Sequence, residues 1–395
     1  MTDRRLVVFL AAVAMASCAC GDDALWMPPT AAGWAFRGGE VIRTVRQNFF
    51  DEKTARAWAD RYAGYGVRAT SEEQFVALTR QALADLKASH TGYYTPLDQR
   101  YYGLLAVFEA HLKTGPVEWD SIGADFTADH FVRTIFACGP ADQVGLKRGD
   151  RILKADGADF QPVLSFQGRA GRPVMLTVER TRAETPLKIA VTPRRIRLRV
   201  EWLDAERRGA RVVVHRGKRI AYVPFFSGAG DEYRDALQEL LAGALRDADA
   251  LVLDLRDGFG GCNPNLVNLF NKTPAVLSFV GRDGKGGSMD SQWRKPLVLI
   301  INGGTPSGKE VVAYSVKKHR MGTLVGTRTA GAVLAGSCFQ LGNKAIMYLA
   351  VSDVRADGER IEGRGVDPDV EVADSLPYAG GADPQLDKAL DIAAK

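Results

Sequence analysis

The chain has 395 residues, of which 46% are hydrophobic and 25% charged, so it is long enough for two or three domains with buried cores and is neither fibrous nor disordered. Its 52 basic and 47 acidic residues give a formal charge of +5, and the two signs are interleaved along most of the chain. This distribution gives little support to nucleic-acid binding, which favours a basic stripe.

The first residues predict an export signal. Arg4 and Arg5 precede an apolar run at residues 6–16, which is too short to span a bilayer. Small residues then lead into Cys18, as at a bacterial lipoprotein cleavage site. We therefore expect residues 1–18 to be a signal peptide, Cys18 to carry a lipid anchor, and the protein to lie in the periplasm or cell envelope. An ordinary signal peptide cut near the same place is the alternative.

The cysteines predict at most one internal disulfide. Without Cys18 and Cys20, three remain: Cys138, Cys262 and Cys338. Whether Cys262 pairs with Cys338 is left open by the sequence. None of the three has another cysteine or a histidine at metal-ligand spacing, so we predict no metal and no other cofactor.

Residues 30–115 read as a helical N-terminal domain. Apolar residues recur there at helical spacing, with charges between them, from about Val41 to Leu112. Ser71 and the acidic residues after it are typical of a capped helix start.

Residues 120–196 change to short β-branched runs separated by glycine turns, which predicts a β-rich domain. The segments Val144–Gly157 and Arg172–Arg180 resemble the helix-to-strand core and a later strand of a PDZ domain. The resemblance implies a module that binds extended polypeptides by adding a strand to a sheet edge. A generic β-hairpin with glycines is the alternative.

Residues 197–375 alternate apolar strands with helices, which predicts a mixed or parallel sheet covered by helices. Strands are expected near residues 219–224, 250–255, 296–301 and 322–326, with helices near 231–245 and from Gly308. Residues 376–395 are predicted to form a C-terminal helix. Catalytic residues are expected at strand ends and in the following loops.

Ser307 is the candidate nucleophile. It stands between an apolar strand and a predicted helix, where the positive end of the helix dipole stabilises developing negative charge. The same position suits a serine that only caps the helix.

The segment Asn302-Gly-Gly-Thr-Pro-Ser-Gly-Lys-Glu310 resembles the nucleophile loop of the carboxy-terminal processing, or tail-specific, peptidase family, written Gly-Gly-Thr-Ala-Ser-Ala-Ser-Glu. The resemblance implies a ClpP/crotonase-like α/β peptidase domain with Ser307 as nucleophile. It also implies that Gly304 and Thr305 contact the substrate.

The segment Leu253–Gly261 resembles the family's glycine-bearing strand end. That loop gives a backbone amide to the oxyanion hole, so the resemblance implies this role for Gly261, with Gly260 as the alternative, together with Gly308. A tight turn without a catalytic role is the alternative.

Ala332 stands where many family members have a catalytic lysine. The chain is more similar to the branch represented by the tricorn protease core, which uses histidine and glutamate. The Ser89-His90 segment and the loop around Glu362 resemble that branch. They imply His90 as general base and Glu362 as the group that orients it. A structural histidine, a structural turn at Glu362, and Lys309 or another lysine as base remain alternatives.

The resemblance implies a serine endopeptidase that cleaves exported polypeptides through an acyl-enzyme. The alternative is a catalytically inactive relative that binds polypeptides on the same fold. Ala332, Pro306 beside the nucleophile and Lys309, where the family has a second serine, favour that alternative. The oligomeric state is unknown.

Overall fold

The computed structural model describes residues 30–261, 263–290 and 292–395. The predicted signal peptide, the lipid anchor at Cys18 and the pairing partner Cys262 therefore lie outside the described residues. Cys338 is a buried free thiol, and burial raises its pKa. Within the described ranges, no helix is both long and apolar enough to cross a bilayer.

The N-terminal segment is helical, as predicted, whereas the helix at Leu198–Gly209 was not predicted from the sequence. Two short 3₁₀ helices, Tyr65–Arg68 and Pro264–Phe270, lie between the α-helices. In the described residues the α-helices are α1 (Ala31–Asn48), α2 (Glu52–Arg61), α3 (Glu72–Ala84), α4 (Gln99–Leu112), α5 (Pro140–Gln143), α6 (Leu198–Gly209), α7 (Asp231–Ala242), α8 (Gly308–Lys318) and α9 (Pro384–Ala393).

The strands divide among several sheets. In chain order they are β1 (Gly92–Tyr94), β2 (Glu118–Ser121), β3 (Ala124–Phe126), β4 (Val132–Ile135), β5 (Arg151–Ala155), β6 (Ala158–Asp159), β7 (Val174–Glu179), β8 (Leu187–Val191), β9 (Arg194–Arg197), β10 (Arg211–His215), β11 (Lys218–Pro224), β12 (Ala250–Asp254), β13 (Leu277–Val280), β14 (Gly286–Met289), β15 (Leu297–Ile301), β16 (Thr323–Gly326), β17 (Ala335–Gln340), β18 (Ile346–Ser352) and β19 (Val370–Glu371).

The largest sheet has the strand order β10-β11-β12-β15-β16-β19 and is parallel except for the β10–β11 pair. Its central strands β12 and β15 are buried at every position, as expected for parallel strands covered on both faces. Helices α6, α7 and α8 pack on one face, and α9 packs on the other. The predicted covered sheet is confirmed, and α8 begins at Gly308 as predicted. Of residues 376–395, which were predicted to be helical, Pro384–Ala393 form α9 and residues 376–383 are not helical.

The N-terminal helices share a core with a distant part of the chain. Trp34, Trp58 and Phe75 pack in one cluster with Met347 and Leu349 of β18. Strand β1, which follows α3, pairs with β18. The helical segment therefore closes its hydrophobic core only against strands near the other end of the chain. The predicted cap at Ser71 is present, since Ser71 Oγ accepts a hydrogen bond from Gln74 N at 3.2 Å.

Residues 118–197 form a β-rich module with a core of its own. The sheet β6-β5-β7-β8 and the pair β3–β4 enclose a cluster that includes Phe126, Phe160 and Leu176. The pair β2–β9 joins the two ends of this module. The predicted strand at residues 172–180 is β7, and the short α5 precedes β5.

Candidate active site

Ser307 lies between β15 and α8, at the N-cap of the helix, with φ 53° and ψ −122°. A serine with positive φ is strained, and such strain is typical of side chains presented at functional sites. Two acceptors hold its peptide N–H: Ala332 O at 2.8 Å and Glu310 Oε2 at 3.1 Å. The strand-turn-helix position predicted for Ser307 is therefore present, and the backbone around it is held from two sides.

Glu310 anchors the loop that carries Ser307. Its side chain is fully buried and accepts hydrogen bonds from Thr329 Oγ1 (2.6 Å), Gly331 N (2.7 Å) and Ala332 N (2.8 Å), besides that from Ser307. Burial raises the pKa of this carboxyl, and the hydrogen bonds oppose the rise. All its partners are donors, so Glu310 works as an acceptor that ties α8 to residues 329–332.

His90 lies in the loop between α3 and β1 and also has a positive φ, of 55°. Its Nδ1 is 2.9 Å from Ser89 Oγ, and Ser89 Oγ donates to Glu362 Oε2 at 2.8 Å. Glu362 thus acts on His90 through Ser89 and not directly. Ser89 belongs to the sequence motif around His90, but the motif gives no signal for this bridging role.

The Ser89 hydroxyl determines which nitrogen of His90 carries a proton. Because the hydroxyl has a single proton and donates it to Glu362, its oxygen accepts from Nδ1–H of His90. Nε2 is then unprotonated and able to accept a proton. This tautomer is the one that a general base requires.

Glu362 is held by backbone groups as firmly as Glu310. Its Oε2 accepts from Val333 N at 2.7 Å and Leu334 N at 3.2 Å, and its Oε1 accepts from Ser89 N at 3.1 Å. The Ser89–Glu362 contacts span 273 positions, so the helical segment folds back onto the α/β part of the chain, as the prediction required.

Residues 331–334 join the two halves of the site. Gly331 and Ala332 bond to Glu310 and Ser307, while Val333 and Leu334 bond to Glu362. No hydrogen bond between His90 and Ser307 is present in the described part of the chain. The loops that carry Ser307, His90 and Glu362 are nevertheless linked to one another through residues 331–334 and Glu362.

The environment of His90 favours the neutral imidazole. Burial lowers its pKa to about 4; the positive charge of Arg100 also lowers it, and Glu362 opposes the shift. The ring packs against Tyr348, with 5.2 Å between centroids. At neutral pH the histidine is uncharged and ready to accept a proton.

Of the glycines predicted for the oxyanion hole, Gly260 lies against Ser307. A Cβ atom placed on Gly260 would be 2.6 Å from Ser307 Cβ and 3.1 Å from Gly308 N. Only a glycine fits this approach. Gly261, with φ 81°, instead approaches Ala229. Within the described ranges, the peptide N–H groups of Gly260 and Gly308 donate to no protein acceptor, which leaves both free for a substrate oxygen.

The two residues predicted to contact substrate differ. Gly304 is partly exposed and its N–H donates to Asn302 Oδ1 at 2.9 Å. Thr305 is fully buried; its N–H and hydroxyl bond to Asn302, and its carbonyl accepts from Ala330 N. These bonds give Thr305 a supporting place beneath the loop and argue against direct contact with a substrate.

Lys309, the alternative base, is fully buried. Its ammonium donates to the carbonyl oxygens of Phe225, Phe226 and Asp257. An amine that gives its hydrogens to three carbonyls is poorly placed to accept the proton of Ser307. Lys309 instead ties α8 to Asp257, at the start of the glycine loop.

Comparisons with known proteins agree with this geometry. Residues 219–372 match Peptidase family S41. The chain is 26% identical over 375 residues to a carboxyl-terminal-processing protease of Synechocystis sp., covering 89% of this chain and 84% of that protein. It is 28% identical over 390 residues to tricorn protease homolog 1 of Streptomyces coelicolor, covering 92% of this chain but only 35% of that relative.

Two solved structures share the fold. The tricorn protease superposes with a TM-score of 0.57 at 19% identity, covering 92% of this chain and 37% of that one. The photosystem II D1 C-terminal processing protease has a TM-score of 0.50 at 20% identity, covering 92% of this chain and 97% of that one.

Proposed function

We propose that this chain, a serine-type peptidase by its family match and its relatives, is a carboxy-terminal-processing endopeptidase that cleaves polypeptides through an acyl-enzyme. One observation carries the proposal. The Ser89 bridge presents His90 with its Nε2 unprotonated and connects it to a carboxylate, Glu362, within the same group of loops that holds Ser307.

The chemistry follows from these positions. Nε2 of His90 takes the proton of Ser307 Oγ while the oxygen attacks the carbonyl carbon of the scissile bond. The N–H groups of Gly260 and Gly308 stabilise the oxyanion. The imidazolium then protonates the leaving amine, and a water activated by the same histidine hydrolyses the acyl ester. Glu362, through Ser89, stabilises the transient positive charge.

The polypeptide would be bound by the β-rich module. In this proposal residues 120–196 form a PDZ-like domain between a helical domain (30–115) and the peptidase domain (197–375). A polypeptide substrate is supported by relatives of this chain that are named carboxyl-terminal-processing and carboxy-terminal-processing proteases. Export to the periplasm or cell envelope, with a lipid at Cys18, is part of the same proposal and rests on the sequence of residues 1–18.

The test compares single-site variants of the protein lacking residues 1–18. Cleavage of casein and labelling by a fluorophosphonate are measured for Ser307→Ala, His90→Ala and Ser89→Ala. Ser315→Ala is the matched control, because Ser315 lies on the helix that follows Ser307 and its hydroxyl donates to Val311 O within that helix. We expect Ser307→Ala and His90→Ala to lower kcat by about 10³-fold or more, and Ser89→Ala by about 100-fold with KM retained.

The outcomes separate the two functions considered. Labelling of the wild type but not of Ser307→Ala supports the peptidase. A wild type that is neither labelled nor active, yet binds casein, would instead identify a catalytically inactive polypeptide-binding relative.

A further inference from the structure

The outer edge of β3 is not covered by another strand in the described part of the chain. β3 pairs only with β4, through Ala124↔Ile135, Asp125↔Thr134 and Phe126↔Val132. Backbone groups of successive residues alternate between the two edges of a strand. Since Gly123 O accepts from Phe136 N on the β4 side, the carbonyl of Ala124 and the N–H of Phe126 point to the outer edge.

The side-chain amide of Gln99 occupies that edge. Gln99 Nε2 donates to Ala124 O at 3.3 Å, and Gln99 Oε1 accepts from Phe126 N at 3.2 Å. The Phe126 N–H is shared with Asp125 Oδ1 at 3.0 Å. An amide has the same donor and acceptor as a peptide unit. In a parallel pair, one residue of an added strand would donate to the carbonyl before Asp125 and accept from the N–H after it. The Gln99 amide makes these two hydrogen bonds instead.

The occupied edge faces a cavity that extends to Gly258 and Phe259, in the loop that leads to Gly260. The cavity has a volume of about 500 Å³, within the usual range for ligand sites, and is lined by Gln99, Ala124, Phe126, Gly258 and Phe259, among others. Phe259 directly precedes Gly260, which lies against Ser307. A polypeptide added to β3 would therefore lie in a cavity that extends to Phe259, the residue next to Gly260.

We propose that Gln99 is an intramolecular competitor for the substrate-binding edge of β3. An extended polypeptide can add to this edge only after the Gln99 amide leaves Ala124 and Phe126. The inference rests on the proposed function, in which the substrate is a polypeptide bound by strand addition. The apparent affinity is then the intrinsic affinity multiplied by the fraction of molecules in which Gln99 has left the edge.

The kinetics of binding test this competition. Association and dissociation of fluorescein-labelled β-casein are followed by stopped-flow anisotropy in the Ser307→Ala background, so that no cleavage occurs. Gln99→Leu removes both hydrogen bonds, and Gln99→Glu keeps the acceptor but loses the donor. Gln161→Ala is the matched control. Gln161 lines the same cavity, and in the described residues its side chain makes no hydrogen bond to β3.

We expect Gln99→Leu to raise the association rate constant about 5- to 150-fold, as two neutral hydrogen bonds of ordinary net strength would. Gln99→Glu should give a smaller rise, and dissociation should change less than about 2-fold, because the bound state no longer contains the Gln99 contacts. Gln161→Ala should leave association unchanged or slower.

Three results would overturn the proposal: association unchanged in both Gln99 variants, an equal rise in Gln161→Ala, or no binding of casein by any variant. Cleavage of unlabelled casein by the protein with Ser307 intact is measured in parallel. Cleavage without a Gln99 effect rejects the competitor while retaining the peptidase. Circular dichroism shows whether each variant is folded, and if Gln99→Leu is not, Gln99→Glu carries the comparison.

Discussion

At the scale of single residues, Ser89 shows how a side chain acquires its role from a distant partner. It is adjacent to His90 in the sequence, where it reads as one more polar residue of a motif. Its hydroxyl determines the tautomer of His90 only because Glu362, 273 positions later, accepts its proton. The motif suggests His90 as the base, but it gives no sign of the bridge through Ser89.

The pH dependence of activity is also decided by single charges. The base must be neutral, so kcat/KM falls as the pH drops through the pKa of His90. Because burial and then Arg100 lower that pKa to about 4, we expect the acid limb of the wild type to lie well below pH 6. Arg100→Met removes a lowering charge and should move the acid limb to higher pH, as measured by kcat/KM against pH.

The control for this shift is Arg80→Met. Arg80 and Arg100 both line the cavity that faces β3. Arg80 is paired with Asp98 at 2.6 Å, and it is not among the charges that shift the pKa of His90. An acid limb that moves equally in both variants, or does not move in Arg100→Met, would show that the charge of Arg100 does not act on the base.

At the scale of elements, the start of α8 is held in a strained geometry by one carboxylate. The sequence predicts the helix start because the apolar strand β15 is followed by a turn that contains Gly303 and Gly304, and a helix follows the turn. The positive φ of Ser307 persists because Glu310 binds the backbone of both Ser307 and residues 331–332. The element is thus predicted locally, but its strain is stabilised by a second segment.

Glu310→Gln tests this anchor. The amide nitrogen of glutamine cannot accept from the backbone N–H groups that now face one of the carboxylate oxygens. We expect the free energy of unfolding to fall by about 1–3 kcal/mol and kcat to fall with it, as measured by urea denaturation and casein cleavage. Glu359→Gln is the control. Glu359 is exposed, and its carboxylate accepts a hydrogen bond from the side chain of Tyr314, which lies on α8. Equal losses in both variants would contradict the anchoring role.

At the scale of the whole molecule, the N-terminal helices and strand β18 share one hydrophobic core. His90 is positioned by this arrangement, because it lies between α3 and β1 and β1 pairs with β18. The amphipathic spacing of residues 30–115 predicts helices with a buried face. It does not reveal that the face is covered by strands more than 200 positions away.

Leu349→Ala should destabilise both ends of the chain together. Leu349 is fully buried in the shared core, and its truncation should cost about 2–5 kcal/mol of unfolding free energy. We expect the loss of helical circular dichroism and of peptidase activity to coincide in urea. Val214→Ala, on a side chain that is 71% exposed, should have little effect. Separate transitions for helices and activity would show two independent domains.

The sequence by itself determined the elements whose signal is local: the apolar runs of β12 and β15, the Ser71 cap of α3, and the start of α8 at Gly308. Only the tertiary structure decided that Ser89 lies between His90 and Glu362, that Thr305 is buried, and that Gln99 occupies the edge of β3. The physical reason is that hydrophobic period and turn chemistry act over a few residues. Hydrogen bonds between distant segments depend on how the finished cores pack.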